Sequence, residues 1–595
     1  MSPSQFDLAK ELSPRRKSTK TQTVDALVNE QLEHFGVDPK SAVGQQLADI
    51  ANHVYRGHAD LHRLWHLTLD NLKSLDRADR ISFFNAKRFI CFQMAKMLDT
   101  LTQSMRKSYQ SLTTQSGAAL AKGPYPILDN VPAIFSAAPV ITRTATYLYA
   151  CTEWIEDAFQ GKELMHDIYS RLLNPTSVSL ANHIVDVVAG PYVSEYFAWN
   201  FNSGMAALDA LFGHVLGYQD VILCNRNVYG GTYQLLRDWY GKPSNLNVRV
   251  EWFDGFTAEA FEKKLFQLEM LGKKIYIFIE SPCNPHGYVL DVPGICRSAH
   301  KRGLTVLCDA TVGTPFLNQV LIHKERIDRP DFVVHSYTKD LSGSGTTTAG
   351  VVIGRNETMF IPKGESVQAK DANGTMQTYK WNDTMFWNVY FIKGAFLDSD
   401  KAFEVLTGMR TLELRMLKKC INTMLLSKVL NSHPDIQVHC NYLPDNENSD
   451  LREKHMYLGM PAPLFTIDFK GISTPAFKRF FDNLEPGFGL QVSLGQTNTV
   501  VLCPALTSHS EMDEKALKEA GISRTTIRIS VGDENPKMLL AHFIEVCRQI
   551  LDKEKPGFSD QFMKPGEIDR LYEEVYLETH RLYIKSQPST SDLSN

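Results

Sequence analysis

Lys339 stands in Ser336-Tyr337-Thr338-Lys339, just after the apolar run Phe332–His335. A lysine at the end of a buried strand is poorly solvated, which weakens its hold on a proton and leaves a usable amine. The neighbouring hydroxyls of Ser336 and Thr338 can hold a phosphate. Asp309 ends the run Leu304–Cys308. A carboxylate there is costly to bury unless a cation meets it, and a protonated ring nitrogen would be such a cation. Tyr229 opens Tyr229-Gly230-Gly231-Thr232 after the run Val221–Cys224, and an aromatic on a Gly-rich turn can stack on a planar ring. Asn202-Ser203-Gly204-Met205 follows Ala198–Phe201 and opens a helix. Ser203, Gly204 and Met205 would then offer free N–H groups and a positive dipole end to a phosphate. Taken singly, each feature has a plainer explanation: a helix cap, a packing tyrosine, an exposed lysine. Taken as a set, they provide a phosphate cradle, a stacking ring, a carboxylate for a ring nitrogen and an amine for an aldehyde.

These groups need a common scaffold. Short apolar runs recur from about Ser194, at Ala198–Phe201, Val221–Cys224, Val248–Phe253, Ile275–Glu280, Leu304–Asp309, Phe332–Ser336 and Gly350–Gly354. Several are apolar nearly throughout, as strands covered on both faces are. Amphipathic helical segments separate them, so an α/β domain with a mainly parallel sheet is expected. Ligands of such a sheet bind at the carboxyl ends of its strands, where all four features fall. The cofactor that needs this set is pyridoxal 5'-phosphate (PLP).

A chain of 595 residues exceeds one ordinary core. Residues 1–22 are expected to be a disordered tail, 23–115 a helical N-terminal extension, and 116–388 an arm followed by the α/β domain. Residues 389–556 would form a smaller α+β domain. It opens on a helical stretch from about Asn388 to Val429, with strands near Ala462–Phe469, Val500–Cys503 and Thr526–Val531. Residues 557–595 would be a tail with one helix, about Gly566–Ile584.

A net charge of -4, with Lys and Arg spread along the chain, gives no electrostatic case for nucleic acid. The ten cysteines form no C-x-x-C pair, so neither a zinc site nor a disulfide framework is expected. No apolar stretch has the length of a membrane span, and Met1–Gln22 lacks the apolar core of a secretory signal. A reducing cytoplasm fits these features. His58, His62 and His66 share a face of a predicted helix, but no carboxylate or Cys completes a ligand set, and no metal is expected.

At the four chemical features the sequence resembles the Cys/Met-metabolism (transsulfuration) family of PLP-dependent enzymes, which includes cystathionine γ-synthase, methionine γ-lyase and O-acetylhomoserine sulfhydrylase. The resemblance runs from about Tyr169 to Leu551. It also covers Asn284-Pro285, Met409-Arg410-Thr411-Leu412, Ser493-Leu494-Gly495 and Ile527-Arg528-Ile529-Ser530-Val531-Gly532. The resemblance implies the aspartate aminotransferase-like (type I) PLP-dependent transferase fold. Lys339 and Tyr229 would be catalytic. Lys339, Asp309, Ser203, Gly204, Met205, Tyr229, Asn284, Ser336 and Thr338 would bind PLP, and Arg528 would clamp the substrate carboxylate with help from Ser493. Tyr169 and Arg171 would reach the phosphate of a neighbouring copy, which implies a homodimer or homotetramer with shared sites. The implied reaction is γ-elimination or γ-replacement on a homoserine-derived or sulfur-containing amino acid. The alternatives are a β-eliminating C–S lyase and a PLP-retaining scaffold protein. The sequence departs from the family pattern at Ala310, Asp340 and Gly343-Ser344, where the family usually has Asn, an aromatic and Gly-His. Val492 is the residue type seen in methionine γ-lyases and sulfhydrylases, whereas Gly231 stands where methionine γ-lyases tend to have Cys.

Overall fold

The computed structural model describes residues 23–71, 85, 88–100, 133, 136–147, 152–159, 168–507, 509, 510, 512 and 514–589. They fall into two compact units, one within Met1–Val140, Thr146–Tyr169 and Pro588–Asn595, the other formed by Ile141–Ala145 and Ser170–Gln587.

The first unit contains helices α1 (Val24–His34), α2 (Ala42–Asn71) and α3 (Thr152–Phe159), and residues 88–100 are also helical. Thr23 caps α1 by accepting from the Ala26 N–H at 3.3 Å. Leu27 and Val28 pack against Tyr55, whose hydroxyl donates to Gln31 Oε1 at 2.8 Å. The expected tail 1–22 and the side chains of His62 and His66 lie outside the described residues. Among the described residues, no cluster of His, Cys, Asp or Glu is placed to hold a metal, and no helix is long and apolar enough to cross a membrane.

The second unit holds both main sheets. It begins with α4 (Pro175–Ala189), capped by Asn174. Then come β1 (Tyr196–Phe201), α5 (Gly204–Val215), β2 (Val221–Asn225), β3 (Arg249–Phe253), α6 (Ala258–Glu269) and β4 (Ile275–Glu280). Next are α7 (Val292–His300), β5 (Thr305–Asp309), β6 (Phe332–Ser336) and β7 (Gly350–Arg355). The seven strands lie in the order β1-β7-β6-β5-β4-β2-β3. The run from β6 to β3 is parallel, while β7 pairs antiparallel with both β6 and β1. All six residues of β4 are buried, as a strand with helices on both faces requires. The register sets Glu280 opposite Asp309, and Asp309 opposite Val334. The carboxyl ends of β4, β5 and β6 therefore open on one place.

The stretch after β7 departs from the sequence reading. Residues 366–380 form a hairpin, β8 (Ser366–Lys370) and β9 (Met376–Lys380), paired antiparallel and mostly exposed. The helical stretch expected from about Asn388 to Val429 is divided into separate segments. Gly394 takes φ 77°, a left-handed value that glycine adopts without steric penalty, and the chain restarts at α8 (Ser399–Met409), capped by Asp398. A turn at Arg410-Thr411 leads into α9 (Leu412–Asn431). Apolar periodicity continues across both breaks, so it did not mark them.

The smaller sheet is built from β10 (Ile436–His439), β11 (Leu464–Phe469), β12 (Gly489–Leu490), β13 (Val500–Leu502) and β14 (Ile527–Ser530). Their order is β10-β11-β14-β13-β12, antiparallel except for β12 with β13. Phe465, Ile467, Phe477, Phe480 and Phe543 fill its core. The tail helix spans Pro565–Ser586 (α10), and its Val575 joins the core of the larger sheet.

One buried hydrogen bond ties the Lys339 turn to the sheet. Tyr337 is fully buried, and its hydroxyl donates to Asn200 Oδ1 on β1 at 3.0 Å. The Asn200 amide in turn donates to the Ser177 carbonyl of α4 at 2.7 Å. Tyr337→Phe leaves the Asn200 oxygen dry and unpaired. It should lower stability by about 1–3 kcal/mol, read from urea unfolding; an unchanged midpoint would contradict this account.

Candidate active site

A cavity of about 270 Å³ opens at the carboxyl ends of β4, β5 and β6. Ser203, Gly204, Met205, Tyr229, Asn284, Asp309, Ser336, Thr338, Lys339, Ser493 and Arg528 all line it. Tyr169 and Arg171 are not among its lining residues. Tyr169 belongs to the first unit and forms a bridge with Thr146, while Arg171 Nη1 donates to the Phe391 carbonyl at 2.9 Å.

Lys339 sits in the turn after β6. The Gly343 N–H closes that turn on the Lys339 carbonyl at 2.9 Å. Its Nζ donates to Ser493 Oγ at 3.3 Å. Burial, reinforced by the Arg528 charge, brings its pKa down to about 8. The Asp340 and Asp309 carboxylates pull the other way without cancelling this.

Asp309 ends β5, and its Oδ1 accepts from the Thr311 N–H at 3.0 Å and the Thr311 hydroxyl at 2.6 Å. The same hydroxyl oxygen accepts from the Ser336 N–H at 2.8 Å, so Thr311 bridges the ends of β5 and β6. Burial pushes the Asp309 carboxyl upward, against the pull of Thr311 and Lys339. Glu280 ends β4 beside it. Its Oε2 accepts from the Tyr229 N–H at 2.7 Å and its Oε1 from the Asn284 N–H at 2.9 Å. Burial, with the Asp309 charge next, drives its pKa well above the usual carboxylate range. Neither Glu280 nor Thr311 was assigned a role from sequence. Glu280 carried the same signal as Asp309, an acid closing an apolar strand; Thr311 carried none.

The end of the cavity at the N-terminus of α5 is built from small residues. Ser203 caps α5, its Oγ accepting from the Ala206 N–H at 3.1 Å. A Cβ on Gly204 would lie 2.7 Å from Ser336 Cβ, so only glycine lets the N-terminus of α5 meet Ser336. Thr338 is partly committed elsewhere, since its Oγ1 accepts from the Ala349 N–H at 3.0 Å. The Tyr229 ring lies close over Gly231, where a Cβ would come within 2.5 Å of Tyr229 Cε1.

The second sheet contributes Arg528 from β14. Its Nη1 donates to Asn284 Oδ1 at 3.1 Å and its Nη2 to the Ser493 carbonyl. Its Nε is buried without a partner, and burial brings the guanidinium down to about 10. A buried donor left unsatisfied calls for an acceptor, which a ligand carboxylate provides bidentately. Val492, 70% exposed, lines the same cavity. The residues present therefore fit PLP: a helix N-terminus for its phosphate, Asp309 for its ring nitrogen, Tyr229 for its face and Lys339 for its aldehyde.

The comparisons agree with this chemistry. A family model described as Cys/Met metabolism PLP-dependent enzyme matches residues 129–545. The L-methionine gamma-lyase of Pseudomonas putida is 28% identical over 404 residues, covering 68% of this chain and 90% of that protein. The O-acetyl-L-homoserine sulfhydrylase of Leptospira meyeri is 27% identical over 449 residues, covering 70% of this chain and 94% of that one. A solved structure from Campylobacter jejuni that contains N'-pyridoxyl-lysine-5'-monophosphate aligns with a TM-score of 0.60 at 27% identity. It covers 69% of this chain and 96% of that one.

Only the neutral amine of Lys339 can attack an aldehyde. Uptake of PLP by the apo-protein should therefore speed up as pH rises and level off above about 8. A rate still climbing towards the ordinary lysine value of 10.5 would contradict the burial of Lys339.

Proposed function

The chain belongs to the Cys/Met-metabolism family of PLP-dependent enzymes, and from that premise we propose that it catalyses γ-elimination or γ-replacement on a homoserine-derived or sulfur-containing amino acid. One observation carries the reading: a single cavity collects the depressed amine of Lys339, the carboxyl of Asp309 and the unpartnered Nε of Arg528. The γ position is supported by the names of two relatives, an L-methionine gamma-lyase and an O-acetyl-L-homoserine sulfhydrylase.

The chemistry that PLP supplies when bound is an electron sink for negative charge at the substrate Cα. The chain's own residues do the rest. Arg528 binds the substrate carboxylate and is itself aimed by Asn284 Oδ1 and the Ser493 carbonyl. That anchor places Cα near Lys339 Nζ, which can take its proton and deliver one back at a later step. Asp309 holds a proton at the ring nitrogen. Thr311 fixes the orientation of that carboxyl. Tyr229 shields one face of the site, and its loop is held by Glu280.

The active form is a homo-oligomer of at least two copies, in which Tyr169 and Arg171 serve a neighbouring site. The family resemblance around these residues supports this, and sedimentation of the holoenzyme measures it. A reducing cytoplasm is supported by the eight buried free thiols among the described cysteines.

Products decide the reaction. Methionine giving 2-oxobutyrate, or an O-acylhomoserine and a thiol giving a thioether, would support the proposal. Pyruvate from cysteine or cystathionine alone would replace it with β-elimination. Lys339→Ala should reduce turnover by at least about 10⁴-fold, as expected when a covalent nucleophile and proton carrier are lost together. Near-normal activity in that variant would overturn the assignment.

A further inference from the structure

Asp340 follows Lys339 directly and is buried, and its partner comes from the second half of the chain. Lys419, fully buried on α9, brings its Nζ within 2.6 Å of Asp340 Oδ1. The same Nζ donates to the Gln496 carbonyl at 2.6 Å. Arg415, one turn earlier on α9, donates to the Asp340 carbonyl at 2.8 Å and to the Gly408 carbonyl at 2.9 Å.

Two glycines admit this approach. Gly495 has φ +77°, and a Cβ there would lie 2.5 Å from the Asp340 nitrogen. Gly343 has φ +69°, and a Cβ there would collide with the Arg415 guanidinium. The two loops clasped by α9 are the two that meet in the cavity. One carries Lys339. The other carries Ser493, whose hydroxyl accepts from Lys339 and whose carbonyl accepts from Arg528.

Burying two charges costs desolvation that their attraction only partly returns, so such a pair is weak evidence for stability. Its use lies in fixing geometry. We propose that the Asp340–Lys419 pair, together with Arg415 on the Asp340 carbonyl, is a positioning device that sets the Lys339 amine against the Ser493–Arg528 carboxylate clamp. This rests on the reading of Lys339 as the amine that holds PLP.

The test compares wild-type protein with the double variant Asp340→Leu/Lys419→Met and with Arg415→Gln. Melting temperature, the rate of PLP uptake by apo-protein, kcat and KM are measured for each. Uptake is followed at about pH 10, roughly two units above the Lys339 pKa of about 8, where nearly all of the amine is neutral in every variant, so a difference reports geometry rather than proton loss.

The double variant replaces the ion pair with apolar side chains and should melt near the wild type. It should nevertheless take up PLP about 10–100-fold more slowly, with kcat lowered and KM for the amino acid raised. Wild-type uptake and kinetics in the folded double variant would overturn the inference. Should the double variant not fold, Arg415→Gln, which keeps both charges, is read in its place. It should slow uptake about threefold in the folded protein, because a site tolerates only about 0.5 Å of displacement. Unchanged uptake there would overturn the inference. Absence of uptake by the wild type would overturn the reading of Lys339, and this inference with it.

Discussion

Glu280 and Asp309 face each other across the register of two adjacent parallel strands, and both are buried. Two neighbouring carboxyls in a dry environment resist double ionisation, because each charge raises the proton affinity of the other. The rest of the site depends on how this conflict is resolved. Glu280 gives both oxygens to main-chain N–H groups, those of Tyr229 and Asn284, and so becomes the anchor of two loops. Asp309 is hydrogen-bonded by Thr311 on its own strand end, and the Lys339 charge offsets its burial only in part, so it needs a further cation. A protonated ring nitrogen meets that need. The acid whose two oxygens are not both taken by main-chain N–H groups is therefore the one best suited to keep a proton on the cofactor.

The same sheet explains what could be read without coordinates. The runs around Ile275–Glu280 and Phe332–Ser336 are apolar because helices cover both faces, so their ends, and the chemistry at those ends, were legible. Lys339, Asp309, Tyr229 and Ser203 were found for that reason, and the structure brings them to one cavity. The hairpin at 366–380 was not legible, since its exposed strands carry mostly polar residues with no buried face to set a period. Nor was the break at Gly394, because apolar spacing resumes beyond it.

Long-range pairs were the other hidden part. Lys419 stands in a helix and reads from sequence as one more solvated charge. Its partner Asp340 lies 79 residues away, and no local pattern joins them. Asp340 was visible only as a departure from the family pattern; the burial of both groups gives that departure a physical content. Arg528 was placed by resemblance alone. Its buried, unpartnered Nε now gives an independent reason to expect an anion beside it.

The central claim is that PLP is held on Lys339. Borohydride reduction of the holoenzyme, followed by peptide mapping, locates the attachment directly. The account predicts a pyridoxyl label confined to the peptide containing Lys339 and absent from Lys339→Ala protein. A label on another lysine, or none after incubation with PLP, would contradict it.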